Sequence, residues 1–254
     1  MHLHFLQRLR YYGTPLAASV VIFIGFLGHV FCSIIDIFEG KLVITRHSLL
    51  NTVYGSGVKL VLPLLMITSL LGASIIMNVY SILSPYDMQH KVLAISQKIL
   101  FYDLLPFIIS LMLATQSALN MVTAGIKKMK RTPHEVVLGY VIPTMIGTNI
   151  SALFLYVYAL NIVFISIYFC FRYLLHTDTH EYLFHLTNTI TSRSIIYSIL
   201  KMSLYCALVS LIVGYYYYQV AAGYMLIRKA MSRIITRSFI WLATTSFYFK
   251  FLNY

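Results

Sequence analysis

The sequence predicts an all-α membrane protein: an N-terminal elbow or re-entrant helix followed by five transmembrane helices. Two observations carry that expectation. Long apolar segments account for most of the chain, at residues 15–35, 60–83, 92–126, 136–171, 194–224 and 239–252. Almost all of the loop positive charge can also sit on one side of a membrane. Only 10% of residues are charged and mean hydropathy is +0.80, which argues strongly against a soluble domain. A spanning helix needs about 20 predominantly apolar residues. The four segments between residues 60 and 224 meet that length, and 239–252 is marginal. No loop is long enough for a second domain, so residues 1–254 read as one membrane domain, with residues 1–38 as the N-terminal segment and elbow and 53–254 as the five-helix core.

Charge decides how the first segment is read. Arg8 and Arg10, then Lys41 and Arg46, then Lys127, Lys128, Lys130 and Arg131, then Arg228, Lys229, Arg233 and Arg237 form four basic clusters. If residues 15–38 enter the membrane without crossing it, the five later segments put all four clusters on one face. If they cross, the first two clusters separate. The positive-inside rule favours the first arrangement. Asp36 and Glu39 close the segment, and Gly13, Gly25 and Gly28 are expected to interrupt it. The N-terminus is then cytoplasmic and the C-terminus outside, with inner loops near 39–52, 127–135 and 224–237 and outer loops near 84–91 and 172–193. The second and third crossings are long: about 35 residues reach roughly 50 Å, against a hydrocarbon core of about 30 Å. They must tilt, project or break. Pro106 is placed to kink the second, and Pro143 sits in the first turns of the third.

Several functions are excluded. A net charge of +12 suggests nucleic acid, but the Lys and Arg gather at segment ends, where they set topology and meet anionic headgroups. Cys32, Cys170 and Cys206 lie in apolar segments at unrelated spacings, as small buried hydrophobes do. The basic N-terminal stretch precedes an apolar run longer than a signal-peptide core, so cleavage is not expected. His176, His180 and His185 cluster with Asp178 and Glu181 in the outer loop. They read as loop residues, and no metal is expected. There is no Walker A motif, nucleophile elbow or Gly-rich dinucleotide loop. The chain is thus not expected to be an enzyme or to hold a cofactor.

Asp103 and Lys201 lie well inside apolar segments. An ionisable residue there is expensive unless paired or wetted, so the two are expected to pair between the second and fourth crossings. The alternative is that Lys201 snorkels while Asp103 bonds Tyr102 or Lys98 locally. Lys59, one turn from its helix start, reads as snorkelling. Lys98, two turns into its helix, is placed to line a polar cavity near the outer face. Tyr215, Tyr216, Tyr217 and Tyr218 read as an aromatic belt at the inner interface.

The order of elements resembles the MlaE/YrbE-type permeases of MCE-linked lipid ABC transporters. The resemblance runs from FLGHVFCSIIDIF as the elbow into GKLVITRHSLLNTVYGSGVKLVLPLL, where Gly57 and Val58 match a family Gly-Val. In LLGASIIMNVY, Gly72 and Asn78 fall at a family Gly and Gln. FYDLLPFIISLMLATQSALNMV is similar to the family's Arg-Glu-Leu-Gly-Pro and Ala-Gly-Arg stretches, keeping Pro106 and Ala114 with Asp103 at the Glu. SILKMSLYCALVSLIVGYYYYQ places Lys201 at a family Lys, and MSRIITRSF matches at Arg233, Thr236 and Arg237. Departures are Tyr102 and Gln116, each at a family Arg, and Leu105 at a Gly. The loop KKMKRTPHEVVLGYVIPT is shorter than the family's, and Glu135 is its one acid.

The resemblance implies a phospholipid-transporting permease of the bacterial inner membrane. Its partners would be a second permease chain (a homodimer), an ABC ATPase that binds the ATP, and an MCE-domain protein on the outer face. It places a lipid cavity at the dimer interface, on Leu70, Leu71, Ser74, Asn78 and Tyr80. Those small and polar side chains otherwise read as ordinary helix packing. It places ATPase coupling on Lys127, Lys128, Lys130, Arg131, His134 and Glu135, which otherwise set topology and bind anionic lipid. The altered coupling loop keeps open an alternative role, as a non-transporting anchor or assembly subunit.

Overall fold

A computed structural model of the chain describes residues 15–39, 50, 52–86, 88, 91–123, 141–174, 180, 182–184, 187 and 192–252. Among the described residues, six long helices follow one another. α1 is Pro15–Phe38, and α2 is Lys59–Leu83, entered through a π-helical turn at Tyr54–Val58. α3 is composite, with an α segment Val92–Gln97, a π-helical stretch Lys98–Leu104 and an α segment Leu105–Thr123. α4 is Ile142–Leu174, α5 is Ser192–Ala221 and α6 is Ile227–Leu252. No strand occurs among the described residues, so the all-α class holds. Stretches of α2, α3, α4 and α5 are each long and apolar enough to cross a membrane.

Two boundaries differ from those expected. α1 runs unbroken through Gly25 and Gly28, since a glycine inside a helix costs only about 1 kcal/mol. α6 begins at Ile227, inside the basic stretch expected to be loop. The reason is the tight turn before it. Gly223, at φ 74°, ends α5. Its N–H donates to the Val220 carbonyl at 3.1 Å, and that of Tyr224 donates to Gln219 at 2.9 Å. This glycine-capped helix end reverses the chain within a few residues, and nothing in IRKAMSRIITR stops the next helix.

α3 meets its proline by widening. A proline inside a helix lacks the N–H and crowds the carbonyl four residues back. The π-helical stretch before Pro106 relieves this, with the Leu105 N–H donating to Leu100, five residues back. Pro106 would donate next, to Phe101, and cannot. Ser198 of α5 supplies the missing donor, its hydroxyl bonding the Phe101 carbonyl at 2.6 Å.

α5 is the central helix, packing on α3, α4 and α6. Every residue from Val213 to Gln219 is buried. The four tyrosines therefore form packing around α5 and not an aromatic belt, because this stretch of the helix is buried on every side, whereas its exposed stripe lies earlier, at Ile196, Leu200, Leu204 and Leu211. Tyr217 donates to the Ser117 carbonyl at 3.1 Å. Phe26 of α1 is wholly buried, its ring 5.8 Å from those of Tyr215 and Tyr218. Gly214 makes room: a Cβ there would stand 2.7 Å from Val141 and 3.3 Å from Phe26.

α6 runs back along α5. Arg237 lies 5.7 Å over the Tyr216 ring, while Phe249 meets Tyr205 at 6.2 Å, near the opposite end. From Arg237 to Phe249 is about 18 Å of helix. On the other side of the bundle, α2 and α4 pack through small residues. Gly57 is one of these contacts: a Cβ there would lie 3.0 Å from Ser151 Oγ and 3.1 Å from its Cβ. Gly57→Ala should therefore destabilise the chain by about 1–3 kcal/mol, and Ser151→Gly in the same chain should recover part of the loss. Thermal unfolding in detergent checks this, and a neutral Gly57→Ala would refute the close approach.

Candidate functional site

α2 has two unlike faces. Leu64, Thr68, Gly72 and Ile76 are buried on the side that meets α4. There Ser166 donates to the Ser69 carbonyl at 3.0 Å, and a Cβ on Gly72 would stand 3.4 Å from Ser166 Oγ. Small-residue helix packing occupies this face. Leu70, Ser74 and Asn78 recur every four residues on the other face, and all three are exposed. Asn78 Nδ2 is 3.5 Å from Ser74 Oγ, and Leu62 and Met66 continue the surface as large exposed apolar groups. α2 is the least buried of the four apolar helices. Of the remaining expected lipid residues, Leu71 is half-buried and Tyr80 turns onto the packed core.

At the opposite end of the bundle from Gly214, Lys201 is 2% exposed and its Nζ donates to Asp103 Oδ1 at 2.7 Å. Lys250 of α6 stands 3.2 Å from the other carboxylate oxygen. The Lys201 ammonium also lies 5.8 Å over the rings of Tyr205 and Phe249. A buried ammonium is costly alone. Here a charge-assisted bond and two aromatic faces replace its water. The network ties α3, α5 and α6 together. Lys250 belongs to none of the four basic clusters of the sequence. Nothing in its spacing marks it, because its partner depends on α6 lying beside α3.

A second polar junction sits where α2 begins. Gln116 Nε2 donates to the Gly55 carbonyl and to Asn120 Oδ1, both at 3.2 Å. Asn120 Nδ2 reaches Ser56 Oγ at 3.3 Å, and Ser151 Oγ reaches the Val53 carbonyl at 3.4 Å. These side chains satisfy carbonyls at the π-helical turn. Gln116 had been read only as a departure from a family Arg. The recoverable signal was two amide residues four apart in an apolar helix.

Arg228, Lys229 and Arg237 are exposed near the start of α6. Lys127, Lys128, Lys130, Arg131, His134 and Glu135 lie outside the described residues. So do His176, Asp178, Glu181 and His185, while His180 is exposed. The described residues contain no group of side chains suited to a metal, and all three cysteines are free.

The family described as Permease MlaE matches residues 49–252. The chain belongs to the MlaE permease family. No curated protein matches it. As an MlaE permease it is a membrane subunit of a lipid ABC transporter. The match covers α2 to α6 and leaves α1 outside. In this MlaE permease, Asp103→Leu alone should cost about 3–5 kcal/mol, because it strands the buried Lys201 ammonium, and Lys201→Met alone should cost less, because Asp103 is part-exposed and keeps Lys250. The double variant should cost less than the sum, and Lys250→Ala, an exposed partner, about 1 kcal/mol at most. A double-mutant cycle of unfolding in detergent measures this. Additive singles would show that the pair is not coupled.

Proposed function

We propose that this chain is one of two identical permeases that enclose a phospholipid between the open faces of their α2 helices in a bacterial inner membrane. The observation that carries the reading is that face, where Ser74 and Asn78 stand exposed among Leu62, Met66 and Leu70. A monomer surface that is long, apolar and marked by a few polar groups suits both a partner helix and a lipid with a polar head. α1 lies in the cytoplasmic leaflet, α2 to α6 cross, and the ends of the helices nearest Arg228 and Arg237 face the cytoplasm.

A separate ATPase docks at that cytoplasmic end, on Lys127, Lys128, Lys130, Arg131, His134 and Glu135. Its groove is acidic or neutral, complementing this basic loop. An MCE-domain protein caps the other end and receives the lipid. Closure of the ATPase brings α3 and α4 together and reshapes the cavity, so that lipid access alternates between the two sides.

Isolation of the chain from its native membrane, followed by reconstitution with the proteins that co-purify, tests this. An ATPase and an MCE-domain protein should co-purify. Ser74→Trp should leave assembly intact and remove most ATP-dependent phospholipid transfer between vesicles. Normal transfer by an assembled Ser74→Trp complex would exclude the α2 face as the lipid site. An assembled wild-type complex that transfers nothing would favour the anchoring role.

A further inference from the structure

Gln97 is the last α-helical residue before the π-helical stretch of α3. It is 2% exposed, and neither atom of its side-chain amide has a hydrogen-bond partner among the described residues. A buried donor or acceptor left unmade costs about 1–3 kcal/mol. A side chain that keeps both unmade is suited to a third molecule.

Gln97 lines an open-mouthed cavity of about 260 Å³ between α3, α4 and α5. Tyr156 and Ser198 line it with Gln97, and both are buried. The Ser198 hydrogen is already committed to the Phe101 carbonyl, so it is not available to Gln97. Leu160 and Phe164 supply apolar wall. Lys98 lines the cavity as an exposed residue and so marks its mouth. Among the described residues it is the only charged one of the lining, and none of their carboxylates faces it there. None of Leu70, Ser74 and Asn78 takes part, so this is a different place from the α2 face.

We propose that this cavity binds the head and upper chain of a single-chain amphiphile with an oxyanion head. The Gln97 amide and the Lys98 ammonium take the head, and the methylenes lie against Phe101, Leu160 and Phe164. The volume is below the roughly 300–1,000 Å³ of pockets for drug-sized ligands, which suits one chain better than the two tails of a phospholipid. The lone lysine selects an anion, and the apolar wall between apolar helices selects a chain. Free fatty acids and lysophospholipids share this chemistry. The site stands on the cavity and does not depend on the transport reading.

Photocrosslinking with a diazirine-bearing palmitate tests it, on the full chain in nanodiscs of zwitterionic lipid. Saturable labelling should map to peptides containing residues 94–104 and 156–164. Gln97→Leu and Lys98→Gln should each weaken it about tenfold, the worth of one hydrogen bond to an ionised head. Leu160→Trp, which fills the cavity, should abolish it. Thermal unfolding identifies any variant that fails to fold, and the remaining ones then decide. Competition by unlabelled palmitate alone identifies a fatty-acid site, and competition by lysophosphatidylglycerol alone identifies a lysolipid site. Labelling that is unsaturable, resists both competitors or survives Leu160→Trp overturns the proposal and leaves Gln97 to bound water.

Discussion

An ion is costly in a hydrocarbon layer without a partner, and the positions of most of the charges among the described residues follow from that. Lys201 is the one lysine buried among the described residues, and it is held by Asp103 with aromatic rings on its flanks. Arg228, Lys229 and Arg237 gather at one end of the bundle, and Lys91 and Arg172 at the other, all exposed. Lys250 joins the buried pair from the rim. The buried pair also positions α6. That helix is poorer in apolar residues than the other five, yet it lies along α5 from Tyr216 to Tyr205 because both of its ends have something specific to meet.

The same rule applies to the backbone. Each proline within a helix removes a donor that lipid cannot replace. At Pro106 the remedy is visible in two parts, a π-helical widening and the Ser198 hydroxyl on Phe101. At the start of α2 the carbonyls of Val53 and Gly55 are met by Ser151 and Gln116. These polar contacts join α2 to α3 and α4, and α3 to α5. Close approach of the helices is then allowed by Gly57, Gly72 and Gly214. The face of α2 left outside this packing is the one that carries Ser74 and Asn78.

Much of this was legible in the sequence, because hydropathy and charge placement are one-dimensional signals. The apolar segments gave the helices of the bundle, and the family resemblance could be argued from motif order along α2 to α6. The cost of intramembrane charge was enough to name Asp103 and Lys201 together. Contacts set by three-dimensional adjacency were not legible. Lys250 joins Asp103 only because α6 lies beside α3. The Tyr215–Tyr218 run is packing because α5 is central, which no property of four tyrosines reveals. Gln116 and Gln97 are the same residue type in opposite situations, one bonded through its amide nitrogen at a helix junction and one without a partner among the described residues, beside a cavity.

The central claim is that charge alone fixes how the chain threads the membrane, with five crossings and a first helix that enters without crossing. Single cysteines at positions 41, 128 and 193, in a chain whose three native cysteines are replaced, test it with an impermeant maleimide added outside spheroplasts. The account predicts labelling at 193 and none at 41 or 128 until the membrane is opened. Labelling at 41 with protection at 128 would mean that residues 15–38 cross, and would contradict it.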